Sequence, residues 1–166
     1  MLSNIGNILV VSILAVSFLI IYYSSLSLKE KTKVIQKKLI NLSLYQVTFT
    51  ITCFGTLILA FVVSDFSLIN VFQNSHTNKP LFYKISGTWG NHEGSLLLWI
   101  NVLVIFSYLF LILNKKSEKN FLIYTLISQN ILIIGFLLFL LFNSNPFNLI
   151  IPTPTEGLGL NPILQD

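Results

Sequence analysis

Apolar residues fall into four long blocks along the chain, separated by stretches where lysine, asparagine, glycine or proline take over. The blocks cover about residues 5–23, 39–63, 95–113 and 121–142. Each is close to the roughly 20 residues that carry a helix across about 30 Å of hydrocarbon. The fourth is mostly Leu, Ile and Phe, whose insertion free energies of about −0.3 to −0.6 kcal/mol each outweigh the cost of Gln129 and Asn130. The pattern predicts an all-α integral membrane fold with four transmembrane helices. Residues 1–142 would form the membrane domain, with a loop at 64–94 and an extended, proline-rich tail at 143–166.

Composition agrees, with 54% hydrophobic and only 10% charged residues against about 25% charged in soluble domains. The chain is too apolar for disorder and too poor in cysteine for a disulfide scaffold. Its one cysteine, Cys53, lies inside the second block and reads as a small buried apolar residue. There is no C-x-x-C-H haem attachment motif, so the chain is not itself a c-type cytochrome. All ten basic residues are lysine, and Phe, Ile, Asn and Lys abound while Ala and Arg are scarce, a skew typical of an AT-biased genome.

The lysines set a topology. Lys29, Lys31, Lys33, Lys37 and Lys38 separate the first two blocks, and Lys115, Lys116 and Lys119 the last two, whereas the long middle loop carries only Lys79 and Lys84. By the positive-inside rule the short basic loops face the cytoplasm or matrix. Both termini and the 64–94 loop then face the outer side, the periplasm or intermembrane space. The first block lacks preceding positive charge and a small-residue cleavage site, so it reads as a retained anchor.

No Lys, Asp or Glu falls in the middle of a block, which disfavours a proton-conducting subunit. Nor are there internal repeats or broken helices of the kind a small transporter needs. Tyr45, Thr48, Thr52, Gly55 and Thr56 recur at helical spacing and predict a buried interhelical stripe, and Gln129 and Asn130 predict interhelical hydrogen bonds.

The middle loop carries the most information, in the run Ser86-Gly-Thr-Trp-Gly-Asn-His-Glu-Gly-Ser-Leu-Leu-Leu-Trp99. Gly87, Gly90 and Gly94 allow tight turns or close backbone approach. Asn91 is placed to cap the third span, with Glu93 in its first turn where the helix dipole favours a carboxylate. A helix starting there puts His92, Leu96 and Trp99 on one face, extended outward by Trp89. Two readings stay open: an interfacial aromatic belt above a capped helix, or an imidazole and indoles arranged for a flat macrocycle such as haem. His76 and His92 make no recognisable metal motif, and no metal is expected.

That run resembles the corresponding segment of the CcmF family, the haem lyases of cytochrome c maturation. Phe142-Asn-Ser-Asn-Pro-Phe147 is similar to the family's short motif after its fourth helix, and Glu156-Gly-Leu-Gly-Leu-Asn-Pro-Ile-Leu-Gln-Asp166 to the start of its next outer segment. The resemblance implies covalent attachment of haem to apocytochrome c on the outer side. It reaches only the family's amino-terminal portion, because the Trp-rich haem-binding domain and axial histidines lie beyond the match to Asp166. The expected protein is therefore one membrane subunit of a split lyase or a truncated fragment of one, not catalytic alone, in the mitochondrial inner membrane or alternatively a bacterial plasma membrane. Implied partners are the remainder of the lyase, apocytochrome c, other cytochrome c maturation proteins and membrane lipid, with haem held mainly by the partner regions and no role for nucleic acid. Trp89, His92, Glu93 and Trp99 are the expected haem or partner surface, shaped by Gly87, Gly90 and Gly94. The rival reading is a structural hydrophobic subunit of a respiratory-chain complex, against which the Trp89–Trp99 motif argues.

Overall fold

Four helical stretches carry a buried stripe whose spacing alternates between three and four residues. On the first helix it runs Ser3, Gly6, Val10, Ile13, Ser17, Ile20, Ser24 and Ser27, and on the last Ile123, Leu126, Asn130, Ile133, Leu137 and Leu140. This heptad-like spacing keeps one face turned to neighbouring helices in a bundle. The computed structural model describes residues 1–29, 33–114 and 118–159. Its elements are α1 (Leu2–Lys29), α2 (Lys33–Val62), α3 (Ile69–Asn74), α4 (Leu81–Gly87), α5 (His92–Leu113) and α6 (Lys119–Asn143).

The helices α1, α2, α5 and α6 are each long and apolar enough to cross a membrane. Even the shortest, α5 with 22 residues, extends about 33 Å at 1.5 Å per residue. They form a ring in which α1 packs on α2 and α6, and α5 on α2 and α6. Among the described residues there is no strand, only an isolated antiparallel bridge between Leu68 and Leu149. The helices outrun the apolar blocks because lysine is a good helix former that continues a helix into the interface. At the start of α2, for example, the Lys38 amine sits 5.0 Å from the centre of the Tyr23 ring on α1.

Inside the ring, small and polar residues dominate the α1 stripe, which lets backbones approach without a hydrophobic driving force. Gln46 Nε2 donates to Ser17 Oγ at 2.7 Å and to Asn130 Oδ1 at 3.0 Å, tying α2 to both α1 and α6. Asn130 thus makes the predicted interhelical bond, whereas the buried Oε1 of Gln129 has no partner among the described residues.

The α2 stripe falls elsewhere than expected. Leu39, Ser43, Gln46, Thr50, Cys53, Leu57 and Ala60 face the bundle, while Tyr45, Thr48, Thr52 and Gly55 point outward. The bonds of Gln46 to Ser17 and Asn130 fix which face turns inward, and the outward hydroxyls are self-sufficient. Thr52 donates to Thr48 O at 2.7 Å and Thr56 to Thr52 O at 2.8 Å, so these hydroxyls need no neighbouring helix.

At the end opposite the lysine-rich connections, the 144–159 segment does not stand away from the chain. Phe147 is completely buried against Gly6, and Ser3 Oγ donates to Phe147 O at 2.7 Å. Backbone bonds then zip the segment along the middle loop, from Ile69 N to Asn148 O at 3.0 Å as far as Leu158 N to Phe72 O at 2.8 Å. Of its apolar side chains, Leu149, Ile151 and Leu158 stay exposed. Leu160, Ile163, Leu164 and Asp166, which the tail expectation also included, lie outside the described residues.

Candidate functional site: the capped entrance to α5

The chain turns from α4 into α5 through Thr88, Trp89, Gly90 and Asn91. Asn91 is extended and its Oδ1 accepts from Gly94 N at 2.8 Å, the expected N-cap, with Glu93 in the first turn. Its amide donates back to Gly87 O at 2.9 Å and Thr88 O at 3.2 Å, so one side chain closes the turn from both sides. The closure needs a glycine at one position. A Cβ on Gly94 would lie 1.6 Å from Thr88 O, whereas at Gly87 and Gly90 it would meet atoms only at ordinary contact distances.

A second asparagine locks the cap from below. Asn70 on α3, almost wholly buried, donates to Asn91 Oδ1 at 2.8 Å and to Glu93 Oε2 at 3.2 Å. Its own Oδ1 is buried without a partner among the described residues, as is the Thr88 hydroxyl. Sequence reasoning missed Asn70, since nothing in a six-residue helix (Ile69–Asn74) marks it as facing a cap 21 residues away.

His92 turns toward α6. Its Nδ1 lies 3.2 Å from Ser144 Oγ, and its ring stands edge-to-face with Phe139 at 6.2 Å between centres. Beneath it runs an apolar groove of about 650 Å³ between α5 and α6, lined by Leu96, Gly135, Phe136 and Phe139 among others. A Cβ on Gly135 would meet nothing within 4 Å, so this wall is open. Neither indole lines the groove. Trp89 and Trp99 are 42% and 63% exposed, so the helix face predicted for His92, Leu96 and Trp99 presents its indole outward instead of closing over the imidazole. With Nδ1 held by Ser144, Nε2 is the ring nitrogen left without a hydrogen bond among the described residues.

Three sequence-distant motifs converge at this end of the bundle. The 86–99 run builds the cap; the 142–147 run supplies Ser144 to His92, Asn145 to Asn7 (2.8 Å) and Phe147 to Gly6. The segment starting at Glu156 closes on the middle loop, where Glu156 accepts from Thr77 N at 2.9 Å and from its hydroxyl at 2.7 Å. Those Thr77 bonds, with a lesser contribution from His76, hold the Glu156 carboxyl down at about 2. Nearby, partial burial lowers the pKa of Lys79, whose amine donates to Asn74 O at 2.7 Å.

The cytochrome c assembly protein family matches residues 89–166. The cytochrome c-type biogenesis protein CycK of Rhizobium meliloti is 47% identical over 113 residues, 68% of this chain and 17% of the relative. NrfE of Haemophilus influenzae is 35% identical over all 166 residues, 26% of its own length. CcmF of Escherichia coli is 42% identical over 114 residues, 68% of this chain and 18% of the relative. A solved cytochrome c haem lyase CcmF shares the fold across 89% of this chain and 25% of its own, with a TM-score of 0.81 at 24% identity. The chain thus spans only 17% to 26% of the length of these relatives. Sequence and fold agree that this multi-pass, all-helical chain belongs to the CcmF family of cytochrome c assembly proteins and corresponds to an amino-terminal portion of it.

Proposed function

We propose that the chain forms the amino-terminal membrane portion of a CcmF-type haem lyase and helps attach haem covalently to apocytochrome c. The observation that carries the reading is the convergence of three family-like motifs on one capped end, where His92 stands over an apolar groove between α5 and α6, with Trp89 and Trp99 exposed outside that groove. Haem is the substrate here, and thioether formation adds a cysteine S–H across a haem vinyl group without change in the total of electrons. Apolar walls with aromatic edges suit a macrocycle face, and an imidazole with a free Nε2 suits a polar edge or an iron. In this portion of the lyase His92 and the two indoles would guide haem or the apocytochrome, while Asn91, Asn70, Glu93 and Gly94, with the flanking Gly87 and Gly90, hold them in place.

The lysine distribution supports a cap that faces the outer side with both termini. The membrane would be the mitochondrial inner membrane or a bacterial plasma membrane. The rest of the family's length, joined to this chain or carried by another polypeptide, would supply the further haem ligands, and other cytochrome c maturation proteins would meet the complex there.

Trp89→Ala and His92→Ala test the reading. Each should lower covalently haem-stained cytochrome c to about a tenth or less, a loss of more than about 1.4 kcal/mol in the limiting step, while the protein accumulates normally in the membrane. Unchanged cytochrome c in both variants would remove the surface from consideration. Recovery of the tagged protein with respiratory-complex subunits alone would favour the structural-subunit reading.

A further inference from the structure

At the opposite end of the bundle a second cavity, of about 170 Å³, is untouched by the reading above. Leu39 of α2, Leu111 of α5 and Leu122 and Leu126 of α6 wall it, and its polar lining includes Gln36 in the first turn of α2 and Lys119 at the start of α6. Lys119 Nζ donates to Ser27 O at 2.5 Å, which fixes the ammonium at the cavity wall instead of leaving it to wander in solvent.

Three features of this end favour an anion. Both α2 and α6 begin at this end, so the positive ends of their dipoles lie here. In sequence, the stretches leading into α2 and α6 carry Lys29, Lys31, Lys33, Lys37, Lys38, Lys115, Lys116 and Lys119 against Glu30 and Glu118. Glu118, at the start of α6, makes no side-chain cap bond to that helix, so its carboxylate does not cap the first-turn N–H groups. A free phosphate ion would demand polar partners on all sides, which leucine walls deny it. An amphiphile would not. Leu113 and Phe121, 78% and 56% exposed at the same end, offer apolar surface on the outside of the bundle.

We propose that this cavity is a binding site for an anionic phospholipid, with the headgroup phosphate on Lys119 and Gln36 and its first methylenes among the leucines. Basic recesses between helices at the positive-inside face are the places where anionic headgroups gain most. The inference stands on the cavity and its charge and does not depend on the haem lyase reading.

Native mass spectrometry of the full chain in detergent, titrated with phosphatidylglycerol, phosphatidylcholine or inorganic phosphate, tests it. One phosphatidylglycerol should be retained about tenfold more strongly than phosphatidylcholine, and excess inorganic phosphate should not displace it. Lys119→Gln should weaken retention about tenfold, the scale of a lost charge-assisted hydrogen bond. Leu126→Trp, which fills the cavity and keeps every charge, should do the same. Lys37→Gln, an exposed lysine outside the lining, should cost no more than about twofold. Equal retention of the two lipids, or an equal loss in Lys37→Gln and Lys119→Gln, would overturn the site in favour of diffuse surface attraction. Displacement by inorganic phosphate would assign it to a free anion. The lipid comparison on the unaltered chain decides even if a variant fails to fold.

Discussion

The membrane bundle and the cap above it are built on opposite principles. In the bundle one motif recurs on every long helix: a heptad-like stripe in which any apolar or small residue serves, with a polar network of Gln46, Ser17 and Asn130 for register. In the cap nothing recurs. Its short helices α3 and α4, the turn into α5 and the 144–159 segment are joined by individual bonds over long separations, such as Asn70 to Asn91 and Ile69 to Asn148. A repeated pattern spreads its stability over many positions, whereas a set of unique contacts concentrates it in a few. Substitutions should therefore be forgiven in the bundle and punished in the cap.

The sharpest way to break this contrast is Gly94→Ala. The atom it would strike, Thr88 O, is backbone and cannot swing aside, so the α5 cap must open. We expect a loss of more than about 3 kcal/mol, among the largest that single substitutions produce, read as the midpoint of denaturant unfolding in micelles. A value under about 1 kcal/mol would mean the turn is far softer than its bonds suggest.

Gly6→Ala comes next, at the seam between the two regions. Its Cβ would sit 2.2 Å from the Phe147 ring, but a ring can rotate or withdraw where a carbonyl cannot. Overpacking of this kind costs about 1–3 kcal/mol. The diagnostic is locality: Phe147 should lose its burial, followed by a label at Asn148, while α1 keeps its helicity.

Within the bundle, Gln46→Leu and Thr52→Val make a matched pair on one helix. The first strands Asn130 Oδ1 and should cost about 1 kcal/mol, in keeping with interhelical hydrogen bonds in membranes. The second removes a hydroxyl bonded only to its own backbone and should stay within about 0.5 kcal/mol. Equal effects would show that the outward face of α2 is packed against something as tightly as the inward one.

This pair also marks where reading the sequence succeeds and where it stops. The four spans and the Asn91 cap are visible in it because each depends on residues within a turn or two of one another. The inward face of α2 was hidden, since Thr48, Thr52 and Gly55 offer as good a small-residue stripe as Ser43, Gln46 and Thr50, and only the positions of α1 and α6 decide between them. His92 could be singled out as a candidate by its motif. Its partner Ser144, 52 residues away, could not, because that pairing exists only once α5 and α6 stand side by side.

The smallest expected effect lies at the outermost edge of the cap, where Glu156 clasps Thr77. The carboxyl accepts these bonds more strongly when ionised, so folding lowers its pKa from the ordinary carboxylate range to about 2. The bound form therefore stabilises the docked segment at every pH above the ordinary value, and that contribution is lost as pH falls toward about 2. Because the group is exposed, solvent screening keeps the effect local and modest. Hydrogen-exchange protection of the Leu158 and Gly159 amides, bonded to Phe72 O and Ser75 O, should drop across that window, while the Ile69 amide, held by Asn148 farther along the seam, keeps its protection. In Glu156→Gln the two amides should be less protected near neutral pH and show no such drop. A fall at Ile69 in step with Leu158 would mean that the whole segment releases as one unit, so that the cap, despite its unique contacts, behaves as cooperatively as the bundle beneath it.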